Sequence, residues 1–280
     1  MERSEILPEN DDHMMSCEDR HWGCFEQCEV HEYGLIRQSD VRGLLHCHTA
    51  YGTGDHDLNE VVEIGRKLGL EYLGVTDHVC CVQNPEGLDP ACLELQRREI
   101  ELLNARHDDI QLLHGVEVEA ADDGRLPLPD EILSRFDYVV ATLRKAEGLS
   151  PQELTDRAVR AVMHPFVSVL GHPIGKHMTS PDPLPLDLET VLRAAAKAGV
   201  AVHVDANPPH EKLDMGFCHL AQELGAVLVI SSDAHRAARL GDYRHGTVLT
   251  QLAGVCCRQV LNSLDLAGVR AFFERSHTGS

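Results

Sequence analysis

Five short apolar runs in this chain end in side chains that bind divalent metal ions. The runs and their polar ends occupy residues 44–48, 75–78, 116–119, 170–172 and 230–235. Strands of a parallel sheet are buried on both faces and read as continuous stretches of valine, isoleucine and leucine, and their carboxyl ends meet at one edge. Imidazoles and carboxylates that converge on such an edge would form a metal site for more than one ion.

The polar residues at these strand ends are of the types that metal ions select. His46 and His48 are two residues apart, so on a strand both side chains point to the same face and can hold one ion. A buried carboxylate without a cation is costly, so a metal explains acids among imidazoles better than core packing does. The alternative is that these side chains lie at the edge of the sheet without binding a metal ion. The candidates are His46, His48, Asp77, His78, Glu117, Glu119, His172, Asp233 and His235.

Seven candidate strands would position these residues. They cover residues 43–48, 72–76, 111–118, 138–143, 167–171, 201–205 and 226–231. Segments with helical spacing alternate with them, at residues 58–68, 90–106, 151–163, 187–197, 214–224 and 258–274. This alternation predicts right-handed βα units in a mostly parallel sheet, and seven such units predict an α/β barrel. No glycine-rich loop follows the first strand, so a nucleotide-binding Rossmann fold is disfavoured.

Composition narrows the class of protein further. The chain has 280 residues, of which 43% are hydrophobic, enough for one large barrel or two modest domains. A formal charge of -20, from 25 basic and 45 acidic residues, disfavours binding to nucleic-acid backbones and anionic membranes. We see no signal pattern and no apolar run near the roughly 20 residues that a membrane helix needs, and therefore expect a cytoplasmic protein without a membrane partner.

The amino-terminal segment differs from the rest of the chain. Residues 1–35 lack hydrophobic periodicity and are rich in acids, so we expect an extension or linker there, and a folded hydrolase domain at residues 36–280. Five potential ligands lie close together in this segment and could gather a zinc ion, although their spacing matches no closed zinc module; the other interpretation is a surface arm. These residues are Cys17, His21, Cys24, Cys28 and His31.

The order of motifs resembles the PHP (polymerase and histidinol phosphatase) superfamily. The likeness is greatest to the PHP domain at the carboxyl end of bacterial family X DNA polymerases, and it extends over residues 30–275. It includes Ser-Asp-Val-Arg-Gly at 39–43, Gly-Leu-Asp-Pro at 87–90, Asp-Ala-Asn-Pro at 205–208 and Val-Leu-Asn at 260–262. Residues 7–38 look like the linker that joins polymerase to PHP domain, whereas no stretch of these 280 residues resembles the polymerase portion.

This resemblance implies a distorted seven-stranded (βα)7 barrel, similar to a TIM barrel, with three metals in a cleft at the carboxyl ends of its strands. The ligands that it implies for the first ion are His46, His48, Glu117 and Asp233. Glu117 would also bridge to a second ion beside His172.

The remaining strand-end residues take supporting roles by the same resemblance. His78 and His235 would serve the third ion. Asp77 and Glu119 would orient the imidazoles from behind, because a ligating histidine usually donates its other ring nitrogen to a carboxylate or carbonyl.

Three positions depart from the family pattern. Thr53 stands where the family usually has an aspartate, Arg144 where it has a histidine at the end of the fourth strand, and Leu44 where an acid is frequent. Asp55 or His56 could swing in for the acid missing at Thr53. Arg144 cannot bind a metal because its guanidinium has no lone pair, but it can grip a phosphate with two hydrogen bonds. The alternative is a site released from catalytic constraint.

These features predict a metal-dependent phosphoesterase, in which metal-activated water attacks a small phosphomonoester or nucleotide. The predicted catalytic residues are Arg144, His172 and Asp233, and Arg144 would neutralise charge on the phosphoryl group. Residues after the sixth strand that we expect near the substrate are Asn207, His210 and Lys212.

Ligand chemistry and the departures leave some choices open. Mixed imidazole and carboxylate ligands suit manganese, zinc or iron, and we expect one to three ions per chain. A 3'-5' exonuclease or DNA-end phosphoesterase is the second enzymatic possibility, favoured by the nearest resemblance and disfavoured by the net charge. A catalytically impaired PHP domain that binds a ligand or partner is the third, and Thr53 and Arg144 are its support.

Overall fold

The computed structural model describes residues 34–79, 87–143, 148–173, 184–206 and 211–278, and within the last range the side chains of residues 215–275. Some predicted positions lie outside the described residues: Arg144, Asn207, His210, the side chain of Lys212, and the amino-terminal cysteines and histidines. Within the described ranges, no helix is both long and apolar enough to cross a bilayer.

Seven parallel strands form one sheet and follow one another in sequence order. The strands are β1 Gly43–Cys47, β2 Tyr72–Val75, β3 Gln111–Glu119, β4 Tyr138–Thr142, β5 Val167–Gly171, β6 Ala201–Asp205 and β7 Leu228–Ser231. The first and last strands also meet, because the His48 amide donates to the Ala234 carbonyl at 3.0 Å and the Ser231 hydroxyl donates to the His46 carbonyl at 3.0 Å. The sheet is therefore a nearly closed barrel, as predicted.

Helices cover the outside of the barrel. They are α1 Leu58–Leu68, α2 Pro90–Asn104, α3 Asp130–Leu133, α4 Pro151–Val162, α5 Leu188–Ala198, α6 Glu211–Glu223, α7 Tyr243–Leu252 and α8 Leu266–Thr278. Asp57 and Ser150 start α1 and α4 with capping boxes, accepting hydrogen bonds from the amides of the third helical residue. Gly69 and Gly199 end α1 and α5 in the left-handed conformation that glycine adopts most easily, so the chain turns back into the next strand.

The last predicted helix is wrong in its first half. Residues 257–263 form two 3-10 turns, Cys257–Gln259 and Leu261–Ser263, and α8 begins only at Leu266. The reason is Asn262, whose buried amide group donates to the carbonyls of Gly43 (3.0 Å) and Ile230 (2.7 Å) and accepts from the Ile230 amide (3.0 Å). Asn262 thus ties β1 to β7, and the turns place it there.

Helix α7 was not predicted from the sequence, because polar residues form much of its buried face. Thr247 and Thr250 are at most 2% exposed, and their hydroxyls donate to the carbonyls one turn earlier, those of Tyr243 and Gly246. Gly246 allows close packing on Ile230 of β7. The hydrophobic period that signals a helix is therefore interrupted at the positions that pack.

Aromatic side chains close the interior of the barrel at its amino end. We call Tyr72, Tyr138, Phe272 and Phe273 the aromatic plug; all four are at most 3% exposed. Tyr138 stacks on Phe273 of α8 with ring centroids 4.6 Å apart, and its hydroxyl donates to the Leu45 carbonyl at 2.9 Å. Glycine at position 74 makes room, since a Cβ there would overlap the Tyr138 hydroxyl. The plug leaves the carboxyl end as the edge where polar groups gather.

Candidate metal centre

Five of the predicted ligands converge at the carboxyl edge of the barrel. They are His46 in β1, His48 just after it, Glu117 in β3, His172 directly after β5, and Asp233 two residues beyond β7. The three histidines and Glu117 are at most 4% exposed, and the Asp233 side chain is 19% exposed. Residues separated by up to 187 positions in the chain meet because parallel strands end at the same edge.

Four of these residues form a group that fits one ion. The ligand atoms of His46, His48, Glu117 and Asp233 lie within 4.8 Å of one another. The Nε2 atoms of His46 and His48 are 3.0 and 3.2 Å from Glu117 Oε2, and 3.4 and 3.0 Å from Asp233 Oδ1. Four ligand atoms arranged tetrahedrally at zinc-ligand distances are about 3.3 Å apart. The donor set and its spacing therefore suit a divalent ion such as zinc.

The electrostatics of the group are those of a cation site. Burial alone would raise the pKa of Glu117 and of Asp233, but the charges and hydrogen bonds of the surrounding imidazoles hold both pKa values well below the usual range. Burial would lower the pKa of His48 and of His172. The carboxylates outweigh it, raising the pKa of His48 to about 10 and that of His172 to about 9. Two buried negative charges thus draw positive charge to this point.

The two carboxylate oxygens of Asp233 contact different histidines. Oδ1 lies near His46 and His48, whereas Oδ2 is 3.3 Å from His172 Nε2. The backbone at both Asp233 and His172 is left-handed, with φ of 45° and 47°, and they are the two non-glycine residues with positive φ among those described. Such a conformation costs about 1–3 kcal/mol and concentrates at functional sites. Both strained residues here are predicted ligands.

A histidine that the sequence analysis did not single out lies beside these residues. His203 is the third residue of β6 and is 2% exposed, with its ring centroid 5.2 Å from that of His46 and 5.1 Å from that of His172. Burial, and then the charges of His172 and His46, lower its pKa well below the usual value, so the ring is neutral. The signal in the sequence was the alternation Val-His-Val, which turns His203 toward the barrel interior while both valines face the helices.

Asp77 sits behind His48 in a buried polar network. Its Oδ1 is 3.8 Å from His48 Nδ1 and accepts from the Thr49 amide at 2.8 Å, while Oδ2 accepts from the Gln96 amide group at 2.6 Å. Gln96, from α2, contacts His114 Nε2 through its Oε1 at 3.1 Å. The predicted role of Asp77 as an orienting group stays a prediction, and this network holds its carboxylate in place.

The two predicted ligands of the third ion flank His48. His235 stacks on the His48 ring at 4.0 Å and donates from Nδ1 to the Asp233 carbonyl at 3.1 Å. His78 lies 5.0 Å from the same ring, with its Nε2 3.6 Å from Glu117 Oε2. The His235 side chain is 42% exposed and that of His78 is 16% exposed. These two imidazoles therefore form the outer, solvent-facing side of the centre.

Three other candidates lie apart from the four-residue group. The Glu119 carboxylate is 3.9 Å from the Arg157 guanidinium of α4. Asp55 and His56 contact each other, with His56 Nδ1 3.1 Å from Asp55 Oδ1, and Asp55 also accepts from the Ala237 amide at 3.2 Å. Neither Asp55 nor His56 is among the grouped ligand atoms, and their replacement of the acid missing at Thr53 stays a prediction.

Comparison with known proteins gives relatives of two kinds. The chain is 30% identical over 244 residues to the DNA polymerase/3'-5' exonuclease PolX of Bacillus subtilis, covering 86% of this chain and 42% of that protein. It is 27% identical over 246 residues to a probable phosphatase of Thermoanaerobacter pseudethanolicus, covering 82% of this chain and 94% of that one. The chain thus spans less than half of the first relative and nearly all of the second. No family model matches the chain.

Among solved structures, the fold is similar to that of histidinol phosphate phosphatase from Lactococcus lactis, crystallised with zinc, L-histidinol and phosphate. The TM-score is 0.56 at 17% identity, over 76% of this chain and 94% of that one, so this likeness concerns the fold alone. A polymerase and a histidinol phosphatase give the PHP superfamily its name. These sequence relatives and the barrel fold confirm the resemblance to the PHP superfamily that the sequence predicts.

Proposed function

We propose that this chain is a metal-dependent phosphoesterase that hydrolyses a small phosphomonoester. The observation that carries the proposal is the buried group of His46, His48, Glu117 and Asp233 at the carboxyl edge of the barrel. Relatives named as probable phosphatases, over nearly their whole length, support the same class of reaction. The predicted metals, zinc, manganese or iron, all suit two imidazoles and two carboxylates.

The residues of the group divide the work between them. A divalent ion bound here supplies Lewis acidity and lowers the pKa of a water. Glu117 and Asp233 balance its charge, and β1 fixes His46 and His48 on one face. Asp77, held by Thr49 and Gln96, lies 3.8 Å from His48 Nδ1, where a carboxylate would orient a ligating imidazole.

The outer side of the centre is where a phosphate group would enter. The His78 and His235 side chains are both partly exposed, and a ring nitrogen of His78 can donate a hydrogen bond to a phosphate oxygen. The Nδ1 atom of His235 already donates to the Asp233 carbonyl, so its Nε2 carries a lone pair that suits an ion. Arg144, two residues beyond β4 in the sequence, would add a guanidinium fork for the same oxygens. We assign substrate binding to His78 and Arg144, charge compensation of the ion to Glu117 and Asp233, and ligation of a second ion to His172.

An assay of hydrolysis and a measurement of metal binding separate this function from the two alternatives, exonuclease action and a binding module. Purified protein with added zinc or manganese should hydrolyse members of a panel of small phosphomonoesters, and His48→Ala should abolish this. His219→Ala, which changes an exposed histidine of α6, is the control for histidine loss. Preferred hydrolysis of short oligonucleotides would replace the proposal with exonuclease action. Metal binding without hydrolysis of either class would favour a binding module.

Arg144 can be tested in the same assay. If its guanidinium grips phosphate, Arg144→His should lower hydrolysis, mainly by raising KM, because a neutral ring replaces a fixed charge. A rise in activity would mean that Arg144 has replaced a metal-binding histidine to the detriment of catalysis. This is the alternative named in the sequence analysis, a site released from catalytic constraint.

A further inference from the structure

His203 is a buried polar side chain that the first ion does not need. It is 2% exposed, and neither Nδ1 nor Nε2 forms a hydrogen bond with a described residue. Buried polar groups nearly always have a partner, and an exception calls for an explanation such as a bound ion. The nonpolar alternatives at this strand position, valine or leucine, would have avoided the cost of burying an imidazole.

The surroundings of His203 are a second set of metal ligands. One nitrogen of each of His46, His172 and His203 lies within 4.8 Å of those of the other two. A neutral imidazole offers one lone pair, so His46, which already faces Glu117 and Asp233, can serve only one ion at a time. The nitrogens left for another ion are therefore those of His172 and His203.

A carboxylate oxygen lies next to one member of this set, His172. Asp233 directs Oδ1 toward His46 and His48, and its Oδ2 lies 3.3 Å from His172 Nε2. The two oxygens can thus belong to two neighbouring ions, with the carboxylate between them. Asp233 also adds a negative charge for the second ion, which two neutral imidazoles do not provide.

We propose that His203 is a metal ligand, and that it forms with His172, beside the Asp233 carboxylate, a second, nitrogen-rich position for a divalent ion. The inference deepens the proposed function, on which it rests, by assigning a ligand to a residue outside the predicted set. Two imidazoles per carboxylate oxygen favour zinc or cobalt over manganese at this position, whereas the first position, with two carboxylates, accepts all three.

The test counts metal ions in matched proteins. Wild-type protein and His203→Leu are loaded with zinc, dialysed, and analysed by mass spectrometry of the metal, and cobalt titrations followed by visible absorbance give the affinities. We expect His203→Leu to hold one zinc ion fewer per chain than wild type. Any contribution of the amino-terminal cysteines is common to both proteins and cancels in the difference. His164→Leu, before β5 at the opposite end of the barrel, is the control and should match wild type.

Two further measurements complete the experiment: the melting temperature of the metal-free variant, and zinc binding by a variant with a different ligand at position 203. Because His203 forms no hydrogen bond with a described residue, the chelated His203→Leu protein should melt at or above the wild-type temperature. His203→Cys, which restores a zinc ligand, should recover the second zinc ion, and it also covers the case in which the leucine variant does not fold.

Equal zinc counts and affinities within twofold in wild type and His203→Leu would overturn the inference, and so would a single ion in both. If neither protein holds any zinc, the proposed function falls with it. A lower zinc count in the variant, in a protein that hydrolyses no phosphoester, would support the inference while refuting the function.

Discussion

The two ends of the barrel treat buried polar groups in opposite ways. At the amino end, the hydroxyls of Tyr72 and Tyr138 donate to the carbonyls of Leu264 and Leu45, and rings fill the remaining space. At the carboxyl end, the Nδ1 atoms of His46 and His48 and both ring nitrogens of His203 form no hydrogen bond with a described residue, and the Nε2 atoms of His46 and His48 face buried carboxylates. Buried hydroxyls thus have backbone partners at the amino end, whereas at the carboxyl end several buried ring nitrogens have no partner among the described residues, as expected where a ligand completes a site.

The first and largest expected effect is on the carboxyl end alone. Glu117→Gln removes the charge that lies within 3.6 Å of His46, His48 and His78, and should lower phosphoester hydrolysis and zinc affinity by at least about 100-fold, because even outer partners of ligands matter by 10–100-fold. Glu119→Gln, two residues further along β3, is the matched control, and an effect below about tenfold is expected there. Equal losses in both would remove the distinction between these carboxylates. Steady-state kinetics and zinc competition measure both quantities.

A second prediction concerns pH and the state of the carboxyl end. The folded pKa of His48, about 10, lies above the unfolded value of about 6.5, so its contribution to stability is complete below pH ~6.5 and is lost as the pH rises through 10. An ion replaces the protons, so the loaded protein should escape this decline. Urea unfolding of chelated and zinc-loaded protein from pH 6.5 to 9.5 should therefore diverge by an amount on the order of several kcal/mol. If the unfolding free energies of the chelated and the zinc-loaded protein changed with pH in parallel, the assignment of His48 as a metal ligand would be contradicted.

A third change should affect the amino end alone. In Gly74→Ala the new methyl group would overlap the Tyr138 hydroxyl, and we expect a loss of about 1–3 kcal/mol in the free energy of unfolding from overpacking. The zinc count and affinity should stay at the wild-type values. Loss of zinc binding in this variant would show that the amino and carboxyl ends of the barrel are coupled, contrary to the separation between them described above.

The smallest effect tests how the scaffold reaches the metal ligands. Gln96→Leu removes the amide group that holds Asp77 behind His48, and should weaken zinc binding about tenfold. Gln259→Leu is the matched control, since the side-chain amide of this buried glutamine donates to the carbonyls of Ala221, Gln222 and Ala226, near the start of β7. It should cost stability without changing the zinc affinity; a reversed pattern would mean that Asp77 does not orient His48.

The sequence predicted most of the barrel and of the metal-ligand group, because apolar strands recur along the chain and the predicted ligands follow their carboxyl ends. Continuous apolar strands located β1, β3, β5 and β7, and the residues at their carboxyl ends had to converge once the sheet was parallel. His48 and Asp233 could be found in this way. Their roles as ligands remain predictions, since distances alone do not show an ion.

His203 escaped prediction because it lies inside a strand, between two valines, and not after its end. Whether a buried imidazole has a hydrogen-bonding partner depends on side chains from other strands, here His46 and His172, which are 157 and 31 positions away. The helix boundary at Leu266 failed for a related reason. Asn262 bonds to Gly43 and Ile230, and no local pattern announces contacts across that distance.

The left-handed backbone at His172 and Asp233 has a consequence for how an ion is received. The conformational penalty at these turns is already met when the barrel folds, so the side chains are aimed before any ion arrives. We therefore expect an ion to bind without rearrangement of the main chain at either turn. The centre is pre-organised, and the rigidity of the barrel is what keeps it so.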